Sequence, residues 1–453
     1  MAKRAKEKSG AATAQQIMEF AKRDRVAFVQ LQFTDLNGLL KGVTIPVSKL
    51  EGVLEDGLWF DGSSIEGFTS IFESDMYLVL DYGTYAVIPW TRQGGTVVVR
   101  FMCDVYMPDG KPFEGDPRYI LKRQLARAEK LGYTFNVGPE LEFFLFRKEN
   151  GKLLPLPQDT AGYFDQTTDL AVEIRQEMTQ ALSDFGIDVE ALHHEVAVGQ
   201  HEIDFKYGDA LSIADQATTL KFTLKHVASL HNLHATFMPK PIAGINGSGM
   251  HVHQSIFKDG KNLFFDPKDD YHLSKMAKSF VMGQLTHIRA MNAILNPNIN
   301  SYKRLVVGYE APVYIAWGQR NRSALIRIPR YTPGREKAVR AELRCPDPSA
   351  NPYLAFAIML AAGLDGIEKK MTPPAPVEEN IYEFTPEEAK ERHIGLLSRD
   401  ITEAIDLMRK DKVVCEALGD FVVEKFCELK MQEWDAYRLQ VTPWEIDQYL
   451  EKY

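Results

Sequence analysis

The segment NGSGMHVHQS at residues 246–255 sets two histidines two positions apart behind a glycine-rich turn. Side chains on an extended strand alternate between faces, so His251 and His253 share one face and Met250 and Val252 the other. The imidazoles can then face a site while the apolar pair enters a core. In GPELEFFLF the same alternation puts Glu140 and Glu142 on one face and Leu141, Phe143 and Leu145 on the opposite one. Two carboxylates side by side on an apolar strand repel unless something positive lies between them. HHEVAVGQHEIDF adds Glu195 and Glu202 around a bend at Gly199, and RAELRCPDP adds Glu342 between Arg340 and Arg344 on one strand face. Singly, each glutamate reads as a surface salt bridge; jointly, on apolar strands, they read as a metal site. These five glutamates and His251 form an oxygen-rich ligand set that suits Mg2+ or Mn2+ rather than zinc, with enough ligands for two ions.

NSYKRLVVGYEAPVYIAWGQRNRSALIRIP supplies Arg304, Arg320, Arg322 and Arg327, with Glu310 between a glycine and a proline. Arginines hold carboxylates and phosphates through paired donors, and a Glu on such a loop suits a mobile lid. Arginines can also simply solvate a face. Beside a metal cluster in a net acidic chain, they point to a triphosphate and an acidic substrate, both of which need neutralising.

A chain of 453 residues exceeds one simple core and predicts two or three domains. With 45% hydrophobic and 25% charged residues it has the composition of an ordinary soluble enzyme or binding protein. The net charge of -9 disfavours nucleic acid as the main partner. Cys103, Cys345, Cys415 and Cys427 are scattered, which favours a reducing compartment. The basic MAKRAKEKSG is followed by no apolar stretch of signal length. LAFAIMLAAGL at 354–364 is about half the ~20 residues needed to cross a bilayer. It reads as a buried helix, and the protein as cytoplasmic.

The elements that must position these groups are legible in outline. Residues 12–24 form an amphipathic pattern, and VAFVQLQFTDLNGLLKGVTIPV alternates around Asn37-Gly38 as a hairpin. The Pro- and Gly-rich VYMPDGKPFEGDPR closes a small β-rich domain. Asp116-Pro117 then starts a helix carrying Leu121, Leu125 and Ala128 that stops at Gly132. Further helices are predicted near 167–185 and at 212–230, the latter opened by a Ser212–Asp215 capping box.

Taken together, these segments resemble class I glutamine synthetase of the bacterial and archaeal type, through at least six motifs in the family's order across nearly the whole chain. The resemblance implies an α+β fold, with a small N-terminal β-grasp domain over 1–110 and a larger catalytic domain over 111–453 whose curved antiparallel sheet is flanked by helices. It implies that Glu142, Glu195 and Glu202 hold one divalent ion and Glu140, His251 and Glu342 a second. Glutamate contacts are implied at Asn246, Gly247, Arg304, Glu310 and Arg344. ATP contacts are implied at Glu190, Tyr207, His253, Ser255, Arg327 and Lys337, with Arg322 at the transferred phosphate. Asp61 in FDGSSIEGF looks like the residue that a neighbouring subunit lends to bind and deprotonate ammonium; by itself it reads as an Asp-Gly turn.

The implied reaction is ATP-dependent ligation of ammonia to L-glutamate through γ-glutamyl phosphate. The implied enzyme is a cytoplasmic homo-oligomer with active sites between subunits, a dodecamer of two hexameric rings. A related ligase joining glutamate to a polyamine or other amine is the first rival, but such relatives tend to lose the acidic ammonium site, and Asp61 is present. A catalytically dead member would lack metal ligands, and all six are present. Ser70 stands where a feedback arginine is expected. Tyr382 resembles a tyrosine adenylylated in another branch, whose extra insertion this chain lacks, so no adenylylation is expected. VTPWEIDQYLEKY resembles the tail that locks two rings together; a bland terminal helix is the alternative.

Overall fold

The alternating residues flanking Asn37-Gly38 form β1 (Val26–Thr34) and β2 (Leu40–Pro46), antiparallel with Phe33 opposite Lys41, and Gly38 takes the left-handed φ of +76° that the turn requires. The computed structural model of the protein describes residues 12–65, 67, 75–156, 161–165, 167–309, 311–319, 321–392 and 394–453. MAKRAKEKSG, Ser70, Glu310 and Arg320 lie outside the described residues. β3 (Leu58–Asp61), β4 (Asp75–Leu80), β5 (Ala86–Val87) and β6 (Val97–Tyr106) complete a sheet of order β2-β1-β6-β4-β3, with β5 on β6 and β1 parallel to β6. The helix Ala14–Arg23 is closed by a capping box from Thr13 and Gln16, and its Ile17 and Ala21 pack with Leu31, Phe101 and Val105 in a core separate from that of the rest of the chain.

Asp116 caps the helix Pro117–Lys130, accepting from the Arg118 amide at 3.0 Å. Arg118 is buried and pairs with Asp81 and Asp104 at 2.7 Å and Asp215 at 2.9 Å, while the Tyr353 hydroxyl donates to Asp215. A buried guanidinium persists only when fully paired, so this node ties the small sheet to the helices behind the larger one. It also explains a departure from the predicted capping box. The helix Ala210–Leu230 begins two residues earlier than expected, capped by Asp209, because Asp215 is turned inward toward Arg118. The helix expected from 167 begins at Val172; Asp169 is instead paired with Arg175.

The larger sheet comprises β7 (Thr134–Glu149), β8 (Lys152–Pro155), β9 (Val189–His194), β10 (Gln200–Phe205), β11 (Gly208–Asp209), β12 (Leu233–Thr236), β13 (Met250–Lys258), β14 (Lys261–Asn262), β15 (Tyr314–Gly318), β16 (Ala324–Arg327), β17 (Ala341–Leu343) and β18 (Gly395–Leu396). Its main path is β18-β15-β16-β17-β13-β7-β10-β9, antiparallel except for the parallel pair β15 and β16. Leu141, Phe143, Leu145, Ile203, Met250 and Val252 point from it into the main core. Behind lie the helices Lys275–Leu295 and Pro352–Glu368, the second apolar on every side and buried over nearly all its length, as its sequence predicts. The two approach almost backbone to backbone: a Cβ on Gly283 would stand 2.2 Å from the Ala362 carbonyl oxygen. No helix among the described residues is long and apolar enough to cross a membrane.

Candidate active site

Strand register brings the polar groups into rows. His251 of β13 stands opposite Glu140 of β7, which stands opposite Asp204 of β10. Glu142 of β7 faces Glu202 of β10, which faces His193 of β9. On the other flank His253 faces Glu342 of β17, and Glu342 faces Arg327 of β16. Paired and alternate positions share a sheet face, so these side chains emerge on the side opposite the core. Glu195 follows β9, where Gly199 at φ +70° turns the chain back into β10.

The contacts within the rows are specific. Arg340 Nε donates to His253 Nδ1 at 3.0 Å, so the imidazole proton sits on Nε2 and is donated to Glu140 Oε1 at 2.6 Å. His251 Nδ1 lies 3.3 Å from Glu140 and 4.0 Å from Glu342. Glu342 is buried between Arg344 at 2.5 Å and Arg327 at 2.7 Å. Glu142 accepts from Gln200 Nε2 at 2.8 Å and the Gly249 amide at 2.9 Å. His193 lies 3.5 Å from Glu202 and 3.6 Å from Glu195.

Negative charge accumulates here without enough compensation. Burial, then the charges of Asp204, Glu142, Glu140 and Glu195, push the Glu202 carboxyl up to about 12. Burial and Glu195 push Glu142 up to about 8 against the pull of Arg304. Burial and Glu140 raise Asp204 to about 7. Burial and Arg344 lower His251 to about 4, which leaves a neutral imidazole. Ligand atoms of Glu140, His253 and Glu342 lie within 4.8 Å of one another, as do those of His193, Glu195 and Glu202. Such carboxylate-rich groupings fit hard divalent cations, whose charge would relieve the repulsion. The space is also kept open: a Cβ on Gly249 would stand 2.6 Å from Arg304 Nη2, 3.1 Å from His251 Nε2 and 3.3 Å from Glu142 Oε1.

Two adjoining cavities share these walls. The first, of about 490 Å3, is lined by Glu140, Glu142, Glu195, Glu202, His251 and Glu342 together with Asn246, Gly247, Arg304, Arg322, Arg327 and Arg344. The second, of about 350 Å3, is lined by Glu190, Tyr207, His253, Ser255 and Lys337. Glu140, Ala191 and Asp204 belong to both. Arg327, expected with the nucleotide set, stands in the first cavity on Glu342. Asp61 is exposed, accepts from the Ser63 amide at 2.9 Å and lines neither cavity of its own chain. A larger cavity of about 1130 Å3, between the β1–β2 hairpin and the helix Asp420–Arg438, contains none of the expected site residues.

Several lining groups escaped the sequence reading: His193, Gln200, Asp204, Tyr163, Phe164 and Tyr309 in the first cavity and Arg335 in the second. His193 and Asp204 carried a usable signal, each standing two residues from a glutamate already singled out. Tyr163 and Phe164 carried none; their rings meet the His193 imidazole at 5.2 and 5.1 Å from a loop with no periodicity.

The family model described as glutamine synthetase, beta-Grasp domain, matches residues 25–108, and that described as glutamine synthetase, catalytic domain, matches residues 114–449. The glutamine synthetase of Clostridium saccharobutylicum is 53% identical over 443 residues, covering 97% of this chain and 99% of its own. That of Thermus thermophilus is 52% identical over 448 residues, with the same coverage. Among solved structures, one described as a GmaS/ADP complex superposes with a TM-score of 0.88 at 33% identity, covering 96% of this chain and 99% of its own. The Plasmodium falciparum glutamine synthetase superposes with a TM-score of 0.87 at 27% identity, covering 97% and 99%. Matched along both domains, and sharing about half its residues with relatives of equal length, the chain belongs to the glutamine synthetase family, class I.

Proposed function

We propose that the protein ligates ammonia to the γ-carboxyl group of L-glutamate, converting ATP to ADP and phosphate. The observation that carries this is the pair of joined cavities. One combines a carboxylate cage with Arg304, Arg322 and Arg344, and the other is a cleft carrying Glu190, Ser255 and Lys337 that adjoins it at the shared wall of Glu140 and Asp204. An acidic substrate and a triphosphate can thus meet at one boundary.

In this reading Asn246, Gly247, Arg304, Glu310 and Arg344 hold glutamate, and Glu190, Tyr207, His253, Ser255, Arg327 and Lys337 hold ATP. Mg2+ or Mn2+, two per site on Glu142, Glu195 and Glu202 and on Glu140, His251 and Glu342, would supply the charge neutralisation that lets two anions approach. The γ-carboxylate oxygen attacks the γ-phosphorus, the bond to ADP breaks, and Arg322 stabilises the transferred phosphoryl group. Asp61 of a neighbouring copy and Glu310 bind ammonium and take its proton. Ammonia then attacks the acyl carbon, and phosphate leaves. The division into 1–110 and 111–453, assembly into hexameric rings paired as a dodecamer, and a cytoplasmic location belong to the same proposal.

An amine ligase of the same fold is less supported, because the relatives at about 50% identity over their full length are glutamine synthetases. The deciding experiment measures ADP release with glutamate and ammonium against a panel of primary amines and polyamines. Ammonium is expected to give the highest kcat/KM. Any amine exceeding it would refute the assignment.

A further inference from the structure

Tyr309 and Ala311 form part of the wall of the first cavity, and two side chains outside that cavity hold them, one at the Tyr309 ring and the other at the Ala311 carbonyl. On one side stands Lys240, 9% exposed, with its ammonium 3.8 Å from the centroid of the Tyr309 ring. The same ammonium donates to the Ile245 carbonyl, directly before the wall residues Asn246 and Gly247. Lys240 is itself anchored, because its amide donates to Asn300 Oδ1 at 2.7 Å and Asn300 Nδ2 donates back to its carbonyl at 3.0 Å. A desolvated ammonium over an aromatic face is attracted by the ring quadrupole, so Lys240 joins two walls through one cation.

On the other side the Tyr382 hydroxyl donates to the Ala311 carbonyl at 2.9 Å. The segment carrying Tyr382 also holds the chain around Arg322. Asn321 Nδ2 donates to the Val377 and Glu379 carbonyls at 3.1 and 2.6 Å, and the Ile381 amide donates to Ser323 Oγ at 3.2 Å. Val377 and Ile381 pack with Ala316 and Ala324 in a small apolar cluster, which gives this strap a fixed footing.

We propose that Lys240 and Tyr382 are positioning residues that pin Tyr309 and Ala311 in the cavity wall and thereby keep water from the acyl phosphate. The inference rests on the reaction proposed above, because the leak they suppress is hydrolysis of that intermediate. In the leak, a water oxygen bonds to the acyl carbon, the carbon–oxygen bond to phosphate breaks, and the proton passes to phosphate. Glutamate returns, and the net change is ATP and water to ADP and phosphate.

The test uses Tyr382→Phe, which removes one hydroxyl and keeps the ring, and Lys240→Met, which removes the charge and keeps the stem. ADP and glutamine are measured together at saturating ATP and glutamate over a range of ammonium. The parent is expected to release the two in equal amounts. Each variant is expected to release ADP in about twofold or greater excess and to raise the KM for ammonium roughly three- to tenfold, as loss of one such contact predicts. A purely structural role would lower the thermal midpoint and leave the ratio unchanged. That outcome in folded Tyr382→Phe overturns the proposal, whether or not Lys240→Met folds. Failure of the reaction assignment shows differently, as no ammonium-dependent glutamine in any of the three proteins, and overturns both.

Discussion

Gly249 separates three groups that must act together, so Gly249→Ala probes their spacing with a single methyl group. Its φ lies outside the left-handed region, and alanine therefore brings no backbone strain. The new Cβ would stand 2.6 Å from Arg304 Nη2, closer than van der Waals contact allows. Arg304 cannot swing away freely: it is 2% exposed, with Nη1 donating to the Cys345 carbonyl at 2.8 Å and Nη2 to the Arg344 carbonyl at 3.3 Å. With Arg304 gripping glutamate as proposed, displacing the guanidinium should remove one charge-assisted hydrogen bond from the substrate, worth about 1.5–3 kcal/mol. At 1.4 kcal/mol per factor of ten, kcat/KM for glutamate should fall roughly ten- to 150-fold. The assay is the initial rate of ADP release across a glutamate series at saturating ATP, ammonium and Mg2+. The KM for ATP should stay within about twofold, because Gly249 does not line the second cavity. A thermal midpoint on the same samples separates local displacement from the cost of overpacking, about 1–3 kcal/mol. Folded Gly249→Ala with kcat/KM for glutamate within a factor of about two of the parent would show that Arg304 does not grip the substrate.

Four further outcomes follow from the same structure. Asp61→Ala should raise the KM for ammonium while glutamate-dependent ADP formation without ammonium persists; loss of that partial reaction, with metal binding intact, would contradict the assigned role. Because burial and neighbouring carboxylates push Glu202 up to about 12 and Glu142 up to about 8, Mn2+ binding near neutral pH should release about one or more protons per site. Calorimetry in buffers of different ionisation heat measures this, and zero release would argue against these carboxylates as ligands. Burial disfavours protonation of His287, but hydrogen bonds to Asp411 at 2.6 Å and Asp365 at 3.1 Å outweigh it and hold its pKa above the ordinary 6.5. Its stabilisation is thus complete below that ordinary value and is lost as pH rises through the folded one. The parent's thermal midpoint should therefore drop more steeply than that of His287→Asn above about pH 6.5, with the Lys369–Asp365 pair at 2.8 Å retained in both proteins; parallel curves would refute it. Gly283→Ala forces a methyl group against the Ala362 carbonyl and should cost about 1–3 kcal/mol or more, read as a lower urea midpoint at unchanged slope.

Much of the site was legible because strands reduce face assignment to counting. Glu140, Glu142, His251 and Glu342 fall where alternation puts them, and each is opposed across the sheet by another site residue. The hairpin at Asn37-Gly38 and the cap at Asp116 were legible for a similar reason, since both are decided by two adjacent residues. What counting could not supply was the competition between local and distant partners. Ser212 and Asp215 form a sound capping pair locally, yet Arg118, 97 residues away in sequence, claims Asp215, and Asp209 takes the cap. His253 lines the second cavity, but the sequence could not show that its proton is placed by Arg340, 87 residues away, and donated to Glu140 in the shared wall. Tyr163, Phe164 and Tyr309 reach the cavity from loops, where no period reveals a face.

The rows across β10, β7, β13 and β17 have a consequence for biogenesis. Glu140 and Glu342 are about two hundred positions apart, so the cage that Glu342 completes cannot exist until β17, a strand of three residues, has paired, whereas Glu142, Glu195 and Glu202 meet across β7 and β10 earlier in the chain. Such distant pairings form late and slowly. A divalent ion that prefers the finished arrangement would then stabilise mature molecules over arrested ones by mass action. Cation affinity would in this way serve as quality control on assembly, and truncation before Ala341 should remove the ion that Glu342 completes and leave the one on Glu142, Glu195 and Glu202 where the earlier strands remain ordered.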